Sequence, residues 1–262
     1  MEVVIGSSPE QIAGWGADIV EQAVLQDASA VLGLATGSSP LGLYRELGRR
    51  VQLGRFSLAG CTGFLLDEYV GLPAGHPQSY AEVIRRELME LTDLREDAVH
   101  APQGVRVDDL PAAAAEFEAA IQAAGGVDVQ ILGLGSDGHI AFNEPGSSLG
   151  SRTRVKTLTP QTRKDNARFF DDDPTQVPTH CLTQGIATIL DARHLVVLAL
   201  GPGKATAVAQ LVEGAVSARW PATALQLHPH VTVLVDEAAA AKLDLADYYR
   251  QVWDAKPPWQ GF

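Results

Sequence analysis

Six short apolar runs punctuate the chain, at residues 3–5, 31–34, 63–66, 127–134, 195–200 and 231–235, most of them closed by Gly or Asp. None alternates with polar residues, so each predicts a strand buried on both faces. Between them, apolar positions recur at helical spacing over residues 9–25, 40–53, 79–91, 112–123, 204–212 and 237–252. Strand and helix therefore alternate, which predicts an α/β fold with a mostly parallel central sheet flanked by helices on both faces. Ser8-Pro9 and Ser39-Pro40 each set a capping hydroxyl before a proline at the first helical position. Residues 146–179 fit the alternation least. Their stretch "RTRVKTLTPQTRKDNARFFDDDP" is rich in Arg and Lys and poor in periodic apolar positions, and it predicts an excursion from the sheet that covers the site.

At 262 residues the chain can bury one large core, and it is read as a single domain over 1–262. The 32 acidic residues outnumber the 20 basic ones, for a formal charge of -12, and they are spread along the chain. That excludes a general attraction to nucleic acid, while local donors and helix N-termini can still hold a small anion. The 2 cysteines, Cys61 and Cys181, lie far apart and have no partner at metal-ligand spacing, which argues for a reducing compartment. No secretory h-region opens the sequence and no apolar run is long enough for a bilayer, so a cytoplasmic protein with no membrane contact is expected.

In an open α/β sheet, ligands bind beyond the carboxyl ends of the strands, so the residues just after each apolar run are the candidates. After residues 31–34 comes Thr36-Gly37-Ser38-Ser39, whose hydroxyls, backbone N–H groups and following helix suit a phosphate. It lacks the lysine and glycine spacing of a Walker loop, and on its own it reads more readily as a helix cap. After 63–66 comes Asp67, a carboxylate at a strand end, equally consistent with a substrate contact and with a solvated turn. After 127–134 comes "GLGSDGHIAFNEP", in which Asp137 and Glu144 flank His139. Histidine titrates near ~6.5 in water and exchanges protons at cellular pH, and neighbouring carboxylates fix its tautomer and stabilise its charged form. After 195–200 comes Gly201-Pro202-Gly203-Lys204, a glycine turn whose lysine can neutralise phosphate. Metal is the rival for an Asp, His and Glu set, but no second histidine lies near enough in sequence to complete a site, so acid–base work ranks above it.

Taken together, the blocks "LATGSSPLGLY", "LLDEYVGL", "GLGSDGHIAFNEP", "SRTRVKTLT", "ARFFDDDPTQVPTH", "GPGKATAVAQLVEG" and "LQLHPHVTVLVDEAA" resemble the glucosamine-6-phosphate deaminase family, in order and over nearly the whole chain. The resemblance implies a modified Rossmann-like fold and conversion of glucosamine 6-phosphate to fructose 6-phosphate and ammonia, in amino-sugar catabolism and N-acetylglucosamine utilisation, without metal or other cofactor. It implies that Asp67 moves the proton between C2 and C1 of the open-chain sugar. His139, supported by Asp137 and Glu144, would open the pyranose ring. Thr36, Gly37, Ser38, Ser39, Arg168 and Lys204 would hold the 6-phosphate. Some members are activated by N-acetylglucosamine 6-phosphate through positions matching Ser147, Arg154, Lys156 and Thr157; those residue types suit a second phosphate and equally suit subunit salt bridges. Members range from monomers to hexamers, so a homo-oligomer stays open.

Two rivals remain. 6-Phosphogluconolactonases share the Asp-Gly-His turn but typically continue with a Ser-Leu-Phe-Pro type sequence, whereas this chain continues "IAFNEP" and retains Glu144. Sugar-phosphate sensor domains use similar folds but carry a DNA-binding module, for which the stretch ahead of residue 3 leaves no room. Ser136, where Asn is frequent, and Pro202 depart from the commoner pattern and bear on fine specificity.

Overall fold

The computed structural model describes residues 1–102 and 108–262. In chain order the elements are β1 (Glu2–Gly6), α1 (Pro9–Gln26), β2 (Val31–Leu34), α2 (Leu41–Gln52), β3 (Thr62–Leu65), β4 (Asp67–Tyr69) and α3 (Tyr80–Glu87). Then follow β5 (Val99–His100), α4 (Leu110–Ala123), β6 (Val129–Gly133), β7 (Arg154–Thr157), α5 (Pro160–Asn166), β8 (His180–Thr183) and α6 (Ile186–Leu190). The chain finishes with β9 (His194–Ala199), α7 (Ala205–Glu213), β10 (Val231–Asp236), α8 (Glu237–Ala240) and α9 (Ala246–Asp254). Seven strands form one parallel sheet in the order β1-β10-β9-β6-β2-β3-β5, with the helices packed around it. This is the predicted α/β arrangement, and all six apolar runs are strands of that sheet.

Burial explains why the runs are mostly apolar. Every residue of β2 and β9 is buried, and Val4, Ile131, Leu132, Val197, Val233 and Leu234 lose all contact with water. A strand covered on both faces has no position where a polar side chain would be solvated. The proline-led start of α1 is as predicted: Ser8 accepts a hydrogen bond from the Gln11 N–H and Pro9 opens the helix.

Several boundaries differ from the sequence reading. Pro40, not Ser39, occupies the cap position of α2 and makes no side-chain capping bond, so the Ser39 hydroxyl is not used to start that helix. Residues 202–204 form a 3₁₀ turn before α7 begins at Ala205. The stretch 79–91 is α3 followed by a separate 3₁₀ turn at Met89–Leu91. Residues 237–252 are not one helix: α8 stops at Ala240, and the Glu213 carboxylate takes the N–H groups of Asp244 and Leu245 before α9 starts.

A second sheet went unseen in the sequence. β4, β8 and β7 pair antiparallel in that order, with Asp67 opposite Thr183 and Arg154 opposite Thr183 on the other side. Asp67 thus leaves the large sheet and begins a strand of the small one. The stretch 146–179 supplies β7 and α5 and leads into β8, so the excursion is ordered on this sheet. No helix among the described residues is long and apolar enough to cross a membrane.

Candidate active site

The strand order reverses between β2 and β6, since β3 and β5 extend the sheet from β2 while β9, β10 and β1 extend it from β6. Such a reversal opens a crevice at the carboxyl ends of the two strands. The four candidate stretches follow β3, β2, β6 and β9, which are four consecutive neighbours in the sheet. At about 4.8 Å between strands they span roughly 15 Å, the scale of a sugar phosphate.

The turn after β6 is built to present an imidazole. The Gly135 N–H donates to the His139 carbonyl at 2.9 Å, and the Gly138 N–H to the Gly135 carbonyl at 3.0 Å. Gly138 has φ +81, and a Cβ there would stand 2.6 Å from the Trp220 ring. A Cβ on Gly135 would lie 2.3 Å from the His139 ring, so the imidazole lies directly over that glycine. His139 Nδ1 is 2.6 Å from Asp137 Oδ1, which also accepts the His139 backbone N–H at 3.2 Å. A carboxylate only accepts, so the proton sits on Nδ1 and leaves Nε2 to exchange one with a ligand. The same bond holds the Asp137 carboxyl below its ordinary range. Just beyond, Ala141 takes φ 49, a left-handed backbone that a residue with a Cβ rarely adopts.

Asp67 is the opposite case. It is 7% exposed, and among the described residues its carboxylate has no hydrogen-bond or ion-pair partner. Burial, and then the neighbouring Glu68 charge, push its carboxyl well above the usual range. An unneutralised carboxylate with a raised pKa is a stronger base than one in water. Period-two geometry turns Glu68 to the other face, where it accepts N–H groups from Tyr69, Tyr80 and Ala81 at 2.8, 3.0 and 3.0 Å and ties β4 to the start of α3. Tyr69 shares the Asp67 side, takes hydrogen bonds from Tyr80 at 3.3 Å and Asn166 at 2.9 Å, and is pushed by burial to about 12.

Glu144 does not join His139, as the sequence suggested; its Oε1 receives the Thr162 hydroxyl of α5. Among the described residues Asp137 is the one side chain hydrogen-bonded to the imidazole. The phosphate candidates lie on both sides of this turn. The loop after β2 is held by Tyr44, whose hydroxyl donates to the Ala35 carbonyl at 2.7 Å and accepts the Ala35 N–H at 3.1 Å. Gly37 has φ +98, Thr36 and Ser39 are half-buried, Ser38 is exposed, and the Ser39 Cβ lies 4.0 Å from the place a Cβ on Gly133 would take at the end of β6. On the other side, Gly201 donates its N–H to both oxygens of Asp236 at 3.0 and 2.9 Å, fixing the turn that carries Lys204. Burial, and then the positive charge of Arg168, lower the Lys204 pKa, while Asp137 opposes them. Two cations held close enough to repel one another mark a place for an anion. The Arg168 guanidinium rests over the Phe169 ring, 4.7 Å from its centroid.

The remaining candidates are more dispersed. Ser147 is buried with an unpartnered Oγ, Arg154 donates to Asn143 Oδ1 at 2.9 Å, and Lys156 and Thr157 follow along β7. Among the described residues no three His, Cys, Asp or Glu side chains converge at metal-binding spacing. A groove of about 620 Å³ lies between α1 and the C-terminal segment, lined by Asp18, Arg55, Trp253 and Phe262 among others; its Arg55 and Lys256 are paired with Glu21 and Glu2. The sequence analysis assigned no role to Glu68, next to Asp67, or to Thr162 and Asn166 of α5, which follow no strand of the large sheet. Asp236, closing the run 231–235 ahead of an alanine-rich helix, carried a visible capping signal.

A family model described as glucosamine-6-phosphate isomerases/6-phosphogluconolactonase matches residues 8–234. Proteins named glucosamine-6-phosphate deaminase from Mycolicibacterium smegmatis and Beutenbergia cavernae are each 60% identical over 261 residues, across 100% of both chains. A solved monomeric glucosamine-6-phosphate deaminase superposes with TM-score 0.88 and 41% identity, over 92% of this chain and 100% of its own. A 6-phosphogluconolactonase from Trypanosoma brucei shares the fold at TM-score 0.70 and 22% identity, over 92% of this chain and 98% of its own.

Proposed function

From the premise that this chain belongs to the family of glucosamine-6-phosphate isomerases and 6-phosphogluconolactonases, we propose that it is a glucosamine-6-phosphate deaminase, a single domain over residues 1–262. It converts glucosamine 6-phosphate and water to fructose 6-phosphate and ammonia. The observation that carries the reading is the pair of proton-transfer groups of opposite character at the ends of β6 and β3, either side of β2: a solvent-reachable imidazole with a fixed tautomer, and a buried carboxylate with no partner among the described residues.

The chemistry has two separate proton tasks. In the pyranose the C2 hydrogen is not acidic, so the ring opens first; His139, with Nδ1 held by Asp137, returns a proton to the ring oxygen as the C1 hydroxyl loses one. The aldehyde at C1 then acidifies C2. Asp67 takes that proton and delivers it to C1 as a proton passes from the amine nitrogen to the C1 oxygen, turning the C2 amine into an imine that water hydrolyses to the ketone and ammonia. The 6-phosphate, held by Thr36, Gly37, Ser38, Ser39, Arg168 and Lys204, lies remote from both carbons and supplies binding energy that holds them against Asp67. Glu144, bonded to Thr162 and not to His139, is assigned to the ring-opening side through its second oxygen. None of these proton transfers calls on a cofactor, and amino-sugar catabolism, with N-acetylglucosamine utilisation upstream, in the cytoplasm is the setting that fits the reaction. An effector site at Ser147, Arg154, Lys156 and Thr157 rests on the family resemblance and on residue types, and Arg154 would have to leave Asn143 to serve it.

The test is product analysis with glucosamine 6-phosphate in the presence of chelator, beside hydrolysis of 6-phosphogluconolactone. Equal amounts of ammonia and fructose 6-phosphate are expected; lactone hydrolysis without ammonia would assign the chain to the rival activity of its family.

A further inference from the structure

The helix α5 joins the two halves of the site. Its cap is Thr159, whose Oγ1 accepts the Thr162 N–H at 3.1 Å and lies 2.8 Å from Thr162 Oγ1. Thr162 Oγ1 in turn meets Glu144 Oε1. The direction of this chain is fixed by its end: a carboxylate can only accept, so Thr162 gives its proton to Glu144, and Thr159 gives its own to Thr162. Charge-assisted bonds of this kind are roughly twice as strong as neutral ones. The second oxygen, Glu144 Oε2, has no hydrogen-bond partner among the described residues and is left for a ligand. The same short segment reaches Tyr69, beside Asp67, through Asn166, and carries Arg168 to within charge range of Lys204.

Resting on the deaminase reading above, we infer that Thr162 is a positioning residue for the reaction: its hydroxyl, aligned by Thr159, fixes the Glu144 carboxylate so that Oε2 faces the sugar. Thr162 touches no reacting atom. Its hydroxyl acts on turnover and not on phosphate binding, because its hydrogen bonds go to Glu144 and Thr159 and to none of the groups proposed to hold phosphate.

Thr162→Val keeps the shape of the side chain and removes the donor. Turnover of glucosamine 6-phosphate is expected to fall about 10- to 100-fold in kcat, the effect of one lost hydrogen bond to a charged group, with KM within about twofold. Thr162→Ser restores the hydroxyl and brings kcat back to within about threefold of the parent. In a Glu144→Ala background, where there is no carboxylate left to position, the valine change makes no further difference, whereas a merely structural role in α5 would lower both backgrounds alike. A thermal melt of each variant separates loss of fold from loss of position. Unchanged kcat in Thr162→Val overturns the inference, as does an effect confined to KM, or an equal loss in the Glu144→Ala background. Absence of ammonia release by the parent protein overturns instead the reading of function on which it rests.

Discussion

Replacing Asp67 by Asn should make the protein both inactive and more stable. The carboxylate is buried, has no partner among the described residues, and stands next to a second carboxylate, so above its raised pKa the folded state carries a charge that the unfolded chain would hydrate. The sign follows from proton binding. The unfolded carboxyl releases its proton near the ordinary 3.8 and the folded one well above it, so between those points the folded state binds more protons and stability falls as pH rises. Asparagine has nothing to ionise. Relief of an unpartnered buried group is worth about 1–3 kcal/mol, and the amide's own unpartnered N–H takes back part of it, leaving about 1–2 kcal/mol. At about 2–4 °C per kcal/mol for a chain near this size, Tm should rise by about 2–8 °C. Calorimetry at pH 5 and pH 8 checks this, with the gap between variant and parent wider at pH 8. A variant less stable than the parent at pH 8, or a gap equal at both pH values, would refute the picture of an uncompensated charge.

Lys204→Ala should raise KM for glucosamine 6-phosphate about 10- to 100-fold with kcat little changed, the loss of one charge-assisted bond. Because burial and Arg168 hold Lys204 below the ordinary 10.5, and only its protonated form grips phosphate, the parent KM should begin to climb with pH below the ordinary lysine range, while Lys204→Arg stays flat. Gly135→Ala places a Cβ 2.3 Å from the His139 ring and should cut kcat by at least about tenfold by displacing the imidazole; wild-type turnover would show that the ring can move without penalty. His194 is pushed by burial, and then by His230 and His228, down to about 3, whereas in the unfolded chain it takes a proton near 6.5. Stability should therefore drop as pH falls from about 6.5 towards 3, by about 1–2 kcal/mol at pH 5, and urea midpoints of His194→Gln at pH 7 and 5 should show a smaller drop.

The strands of the large sheet were legible because burial on both faces leaves few polar positions, and candidate residues could be named because ligands gather where such strands end. That rule nominated Asp67, His139 and Lys204 beside plain turn and cap readings, and their roles came from the family resemblance. The small sheet was not legible, since β4 has three residues and Arg154–Thr157 and His180–Thr183 carry too few apolar positions to show a period. Its pairing is set by contacts between segments far apart in sequence. For the same reason the reading gave Glu144 to His139, its neighbour in the chain, when the fold gives it to Thr162. Ser39 looked like a cap because serine before proline usually is one; here the helix starts a residue later and the hydroxyl is left out of the capping bond.

The central claim is that one buried carboxylate carries the hydrogen from C2 to C1. Turnover of glucosamine 6-phosphate carrying deuterium at C2, run in H₂O and followed by NMR, tests it most directly. The account predicts fructose 6-phosphate with C2 deuterium carried to C1 by the parent protein, and no product from Asp67→Asn, although the variant still binds sugar phosphate. Fructose 6-phosphate formed by Asp67→Asn at the parent rate would contradict it.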